Sequence, residues 1–178
     1  MGKIKKAVLT SIVIAAGAAA FVGCSREEKT LDQYNASTAD INFAKAASVS
    51  NFTEVTLGKL DTLKGLDSAG KAYGAMMIID HTTSDSLLKS IANPLGLSTP
   101  DTLDSDHQAL RAQLTGLSGR AFDSLYIKSM VADHQAAITL FTNEDKNGQE
   151  FQLRLYAHNQ LPILQAHLDM ATALAAKY

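Results

Sequence analysis

The chain has 178 residues, of which 46% are hydrophobic, three are proline and none is tryptophan. Its formal net charge is −2, and a chain without an excess of basic residues is not expected to bind nucleic acid. Its single cysteine, Cys24, excludes an intramolecular disulfide and a cluster of thiolate ligands.

Residues 1–23 predict a signal peptide. Lys3, Lys5 and Lys6 precede an apolar run over residues 7–22, which is shorter than the roughly 20 residues that a membrane-spanning helix needs. Removing this leader takes away three of the 16 basic side chains and none of the 18 acidic ones, so the formal charge of the mature chain becomes −5. The sequence therefore predicts an exported, acidic protein.

Residues 21–24, Phe-Val-Gly-Cys, resemble a bacterial lipobox, in which cleavage precedes a cysteine that carries lipid. An ordinary secretory signal with an incidental cysteine is the alternative, but an unpaired thiol in an exported protein needs an explanation that lipidation supplies. Lipid on Cys24 would hold the protein on a membrane without a spanning helix. We therefore expect a lipoprotein of the bacterial cell envelope. Ser25 stands where an aspartate would signal inner-membrane retention, which favours the periplasmic side or the outer membrane.

Residues 24–38 are polar and aperiodic, which predicts a flexible tether, and residues 39–178 predict one helical domain. A first helix is expected over residues 39–63, where apolar and small side chains recur every three or four positions. A second is expected over residues 68–91, before the break at Asn93-Pro94. The short turn between them predicts an antiparallel hairpin.

The second half of the domain repeats this plan after an irregular crossover. A helix-start signal at residues 98–101 is followed by a short predicted helix over residues 105–117. Two long helices are then expected over residues 120–143 and 150–177, with Pro162 inside the last one. Two hairpins joined by a longer crossover predict an all-α, ferritin-like four-helix bundle, a plan that builds metal sites from inward-facing side chains.

The pattern Met-x-x-Asp-His occurs twice in the chain, at residues 77–81 and 130–134. In a helix the methionine and the histidine share one face, because residues four apart stack above each other. Met77 and Met130 fit the role of core filler, and a smaller case remains for Cu(I) ligands. Each histidine of the pattern interrupts an apolar stripe, as His167 does on the last helix.

One candidate ligand therefore lies on each long helix: Glu54, His81, His134 and His167. This is the arrangement that a bundle-core site requires, and it predicts a mononuclear transition-metal site for zinc, copper or iron. A buried hydrogen-bond network made of the same groups is the alternative. Metal analysis of the mature domain would discriminate between them.

Asp80 and Asp133 each precede a histidine, about 100° around the helix, so neither readily binds the same ion as its neighbour. They either accept a hydrogen bond from a histidine on an adjacent helix or stay solvated at the edge of the stripe. His107 in the crossover and His158 on a polar face are expected to be exposed. Enzyme signatures such as Gly-x-Ser-x-Gly, His-Glu-x-x-His and a phosphate-binding glycine loop are absent from the sequence, so an enzyme is the third choice.

The ordered set of motifs between residues 40 and 174 resembles the bacterial domain of unknown function 4142 (DUF4142) family. It comprises Phe43, Glu54, both Met-x-x-Asp-His segments, Gly119-x-x-Phe122-Asp123-x-x-Tyr126, Leu161-Pro162-x-Leu164 and His167. The resemblance implies an exported, ferritin-like four-helix domain and no established reaction or ligand.

The segment over residues 130–138 is also similar to the Met-x-x-His-His-x-x-Ala-Ile segment of the domain of unknown function 305 (DUF305) family, some members of which bind copper or silver. Asp133 replaces the first histidine of that pair. Ferritin-like di-iron enzymes carry Glu-x-x-His twice, whereas Ile78 and Val131 lie three residues before His81 and His134. A ferritin-type oxidase is therefore not expected.

Two functions follow from the sequence. The first is a lipid-anchored envelope binding protein with a transition-metal site in the bundle, attached to the membrane through lipid on Cys24. The second is a non-catalytic structural or stress-related envelope interaction module, whose histidines form a buried hydrogen-bond network. The sequence identifies no protein partner for either function.

Overall fold

The computed structural model describes residues 36–178, and the leader, Cys24 and nearly all of the predicted tether lie outside the described residues. The described part contains five α-helices and one 3₁₀ helix, and it contains no strand. In chain order these are α1 (Thr38–Lys64), α2 (Ser68–Ala92), the 3₁₀ helix Asn93–Leu95, α3 (Ser105–Gly116), α4 (Gly119–Asn147) and α5 (Phe151–Ala175). The all-α prediction is confirmed. α4 runs to Asn147, past the residue 143 expected from the sequence.

Side chains before the helices fix where four of them begin, namely α1, α2, α3 and α5. Ser37 accepts a hydrogen bond from the Asp40 backbone N–H, while the Asp40 carboxylate accepts one from the Ser37 backbone N–H, which forms a capping box at the start of α1. Asp67 accepts from the Ala69 N–H at 3.1 Å at the start of α2. Asp104 caps α3 in the same way. These caps satisfy N–H groups that a helix leaves without a partner in its first turn.

The four long helices form a bundle made of two hairpins. α1 packs on α2 and α4 packs on α5, while α1 also contacts α4 and α2 also contacts α5. The short helix α3 lies in the crossover between the hairpins and contacts α1 and α4. α5 continues through Pro162. Within residues 36–178, no helix combines the length and the apolar character that crossing a membrane requires.

The first hairpin is packed closely enough to require glycine at one point. A Cβ atom added to Gly58 on α1 would lie 2.7 Å from the carbonyl oxygen of Gly74 on α2, a distance that packed atoms do not tolerate. The two backbones therefore approach each other directly, two turns of α2 before His81. This contact sets the spacing of the two helices that supply Glu54 and His81.

The buried core consists of two apolar clusters. The upper cluster includes Phe43, Leu88, Phe141, Leu153 and Tyr156. The lower cluster includes Leu57, Tyr73, Met77, Phe122, Tyr126 and Met130. On each long helix the buried residues between the two clusters are polar, and they include Asn51, Glu54, His81, Ser84, His134 and His167. A polar layer therefore crosses the middle of the bundle, and this layer contains the candidate site.

Candidate metal centre

Three histidines from three helices meet in the polar layer. His81 on α2, His134 on α4 and His167 on α5 are each at most 4% exposed. One ring nitrogen of each lies within 4.8 Å of the corresponding nitrogen of the other two. The ring centroids are 5.4–5.7 Å apart. The rings therefore converge on one small volume, although they are separated by 53 and 33 residues along the chain.

Each ring also has a hydrogen-bond acceptor on its outer side. The Nδ1 atom of His134 lies 2.9 Å from the Met130 carbonyl oxygen, and the Nδ1 atom of His81 lies 2.9 Å from Asn51 Oδ1. His167 Nε2 lies 3.0 Å from Asp80 Oδ2. Carbonyl and carboxylate oxygens only accept hydrogen bonds, so these three ring nitrogens must carry the protons. The outer contacts thereby assign the tautomer of every ring.

The inner nitrogens are left with lone pairs. In a neutral imidazole only one nitrogen carries a proton, so Nε2 of His81, Nε2 of His134 and Nδ1 of His167 are acceptors. The His81 atom has no hydrogen-bond partner among the described residues. The other two face each other at 3.4 Å, where two lone pairs cannot form a hydrogen bond. The centre of the cluster therefore requires a cation, a proton or a further hydrogen-bond donor.

Burial keeps the three rings neutral. Loss of solvation lowers the pKa of His81 well below its usual range, and the neighbouring His134 and His167 add to the effect. Burial lowers the pKa of His134 to about 4, although its hydrogen bond to Met130 acts in the opposite direction. Burial also lowers the pKa of His167 against the opposing effect of Asp80. Neutral imidazole is the form that binds metal ions.

The spacing of the inner nitrogens is close to that of a metal site. Zinc–nitrogen bonds of about 2.0–2.1 Å in a tetrahedron place ligand nitrogens about 3.3 Å apart. The His134 and His167 nitrogens are already 3.4 Å apart. The longest separation in the group, at most 4.8 Å, would need to shorten by about 1.5 Å, which a side-chain rotation supplies. Three imidazoles would leave a fourth position for water or another ligand.

Glu54, the fourth predicted ligand, lies beside the cluster. Its Oε1 atom is 3.8 Å from His134 Nδ1, the nitrogen on the outer side of that ring, and it is not one of the three grouped ligands. Burial, with the charge of Asp133, raises the pKa of Glu54 well above its usual range. Since both groups are neutral, their contact is not an ion pair. The candidate metal ligands that converge are therefore the three histidines. Glu54 contacts this cluster only at the outer side of His134.

The two aspartates predicted to support the site have different partners. Asp80 accepts from His167 Nε2, which fixes the orientation of that ring. Asp133 Oδ1 lies 3.3 Å from Nε2 of His107, a histidine outside the cluster. The expectation of an exposed His107 is wrong, because Asp104 and Asp133 hold it half-buried between α3 and α4. Their hydrogen bonds outweigh burial and raise the pKa of His107 to about 9. His158 is exposed, as expected.

Asn51 is the member of the site that sequence reasoning did not identify. Its Oδ1 atom accepts from His81, and its Nδ2 atom donates to the Tyr156 hydroxyl at 3.2 Å. The Tyr156 hydroxyl also lies 2.7 Å from Ser84 Oγ. A polar residue one turn before Glu54 on the inward face of α1 was the available signal. This chain of contacts fixes the His81 ring from the side of the upper apolar cluster.

The fold is similar to that of solved structures. A crystal structure of a DUF305 fragment from Deinococcus radiodurans matches with a TM-score of 0.72 at 9% identity, covering 82% of this chain and 100% of that one. A DUF305 protein from Streptomyces coelicolor matches with a TM-score of 0.66 at 13% identity, covering 78% of this chain and 93% of that one. At such low identity the likeness concerns the fold alone.

Sequence comparison defines the family more directly. No curated protein sequence matches the chain significantly. The sequence profile of the family described as "Domain of unknown function (DUF4142)" matches residues 25–174, which is most of the chain. The chain therefore belongs to the DUF4142 family.

Proposed function

We propose that this protein is a metal-binding protein of the bacterial cell envelope, which holds one transition-metal ion through His81, His134 and His167. The observation that carries the proposal is the convergence of three imidazole rings whose N–H groups are directed away from one another, so that three unprotonated nitrogens face the centre. A metal ion accepts all three lone pairs at once. Imidazole nitrogen suits zinc, copper and iron, and a set without a thiolate or a bridging carboxylate favours a single ion.

The rival function is a non-catalytic structural or stress-related envelope module, in which the same histidines serve as a buried polar network. The contacts from His81 through Asn51 to Tyr156 and Ser84 favour such a network. They leave the inner face of the cluster unexplained, however, because none of them supplies a donor to the three inner nitrogens. A network alone would keep opposed lone pairs in a buried volume, which costs free energy.

Metal binding can be tested with four single variants of the mature domain, purified without a chelating tag. His81→Ala, His134→Ala and His167→Ala each remove one proposed ligand, while His158→Ala removes an exposed histidine and serves as the matched control. We expect wild type and the control to retain one zinc or copper ion per chain after gel filtration, and each ligand variant to retain much less. Retention that is equal in all five proteins would refute the proposed ligand set.

The envelope location rests on the leader and on Cys24. Lipid on Cys24 would anchor the domain to a membrane on the periplasmic side or in the outer membrane, with residues 25–37 as a spacer before α1. We expect mass spectrometry of the mature protein to find an acylated N-terminal Cys24. A Cys24→Ala protein should leave the membrane fraction. If that variant is cleaved at the same bond and still fractionates with membranes, the anchor is not at Cys24.

A further inference from the structure

A groove between α1 and α4 lies on the other side of Glu54 from the histidine cluster. Its volume is ≈ 430 Å³. Ala46, Val49, Ala137 and Leu140 supply its apolar walls, and the beginning of the crossover helix α3 closes one end. The volume lies in the lower part of the range of small-molecule sites, which are also mainly apolar with a few polar groups that orient the ligand.

Three of the residues that line this groove each have a buried side-chain oxygen atom without a hydrogen-bond partner among the described residues. These atoms are Thr53 Oγ1, Glu54 Oε2 and Asp133 Oδ2. Thr53 and Glu54 are 1% and 2% exposed, respectively. Buried polar atoms in folded proteins almost always have a partner, so three without one beside a single cavity indicate a missing polar group. All three can act as acceptors.

The charges at this end of the groove favour a cation. Asp104 and Asp133 contribute two carboxylates, and the His107 imidazolium between them contributes one positive charge, which leaves one negative charge in excess. A carboxylate or phosphate ligand would be repelled by this excess negative charge, and its oxygen atoms would offer no hydrogen-bond donor. Lys45 lines the groove nine residues before Glu54, about 13 Å away along the α1 axis by the helical rise, and even an extended lysine side chain does not span that distance.

We propose that this groove is a binding site for a small primary amine with an apolar tail. The ammonium group offers N–H donors to these acceptor oxygens, and it supplies the missing positive charge. The tail lies between the apolar walls of α1 and α4. The ion site and the amine site then share Glu54 as a common wall, while each binds its own ligand. This inference therefore goes beyond the proposed metal binding and does not depend on it.

Hexylamine and 1-hexanol are a matched pair of probes, because they share the tail and differ in the head group. Binding is measured by calorimetry and by amide chemical shifts on metal-free protein, so that the amine cannot coordinate a metal. We expect hexylamine to bind at least tenfold more tightly than 1-hexanol and to shift the amide signals of Val49 and Thr53. Equal affinities, or no binding of hexylamine, would overturn the proposal.

Two variants and one control locate the site. Ala46→Phe fills the groove from half-buried Ala46 and should abolish hexylamine binding, whereas Ala121→Phe places the same side chain at an exposed position near the start of α4 and should have no effect. Thr53→Val keeps the shape but removes one acceptor, and should weaken hexylamine binding about 3- to 10-fold. Unchanged binding in both groove variants would overturn the proposal. Metal retention is also measured on Ala46→Phe and should equal that of wild type. A loss of amine binding with normal metal retention then concerns the groove alone.

Discussion

Burial of neutral His134 makes the metal-free protein sensitive to acid. An unfolded histidine takes up a proton near pH 6.5, whereas the folded pKa of His134 is about 4. Between these values the unfolded chain binds more protons, so the stability contributed by the neutral ring is present above pH 6.5 and is lost as the pH falls toward 4. Each pKa unit corresponds to 1.36 kcal/mol, so the loss amounts to about 3 kcal/mol for this ring.

Other buried groups change the free energy of unfolding with pH in the opposite direction, so their contribution must be subtracted. Burial raises the pKa of Asp61 and of Glu144 to about 7, and these carboxyls stabilise the fold as the pH falls. The effect of His134 is therefore isolated by comparing wild type with His134→Phe, which keeps an aromatic ring but cannot take up a proton. His158→Phe, at an exposed position, is the control.

The assay is urea unfolding followed by circular dichroism at pH 7, 6, 5 and 4, in the presence of a chelator. The difference in unfolding free energy between wild type and His134→Phe should fall by about 3 kcal/mol from pH 7 to pH 4, which corresponds to a midpoint shift of roughly 1–3 M urea. The difference between wild type and His158→Phe should change much less. Parallel stability curves for wild type and His134→Phe over this range would refute the buried neutral ring.

Three further predictions concern the surroundings of the site. Asp80→Ala removes the acceptor that orients His167 and should weaken metal affinity by about 10–100-fold, measured by competition with a chromogenic chelator, while Asp80→Asn should weaken it less. Gly58→Ala places a methyl group 2.7 Å from the Gly74 carbonyl oxygen and should destabilise the fold by about 1–3 kcal/mol in urea unfolding; a neutral effect would contradict the close contact. Asp61→Asn removes a buried carboxyl whose pKa is raised to about 7, so its melting temperature relative to wild type should rise as the pH increases from 5 to 8; a constant difference would contradict the raised pKa.

The bundle could be predicted from the sequence because its helices carry local signals. Ser37, Asp67 and Asp104 cap helices that begin at the next residue, and the apolar stripes repeat with the helical period. The length of α4 was underestimated, because the polar residues after Phe141 still form helix when packed against α5. Local propensity does not report such tertiary contacts.

The position of each histidine along its helix was sufficient to predict that the three would share one layer. Their tautomers could not be predicted, because these depend on acceptors such as Asn51 Oδ1 and the Met130 carbonyl oxygen, which only the packed structure brings into contact. The sequence also did not show which ring nitrogen of His134 faces Glu54, because this depends on the rotation of α1 about its own axis. If the inward face of α1 is assigned one residue too early or too late, the expected direction of the side chain changes by about 100°.

X-ray absorption spectroscopy of the metal-loaded mature domain tests the central claim most directly, because it reports the ligand atoms and their distances without a mutation. The account predicts one ion per chain with about three imidazole nitrogens at roughly 2.0–2.1 Å and one exchangeable fourth ligand such as water. A coordination shell made of oxygen atoms, or a protein that binds no ion under conditions where His81, His134 and His167 are neutral, would contradict it.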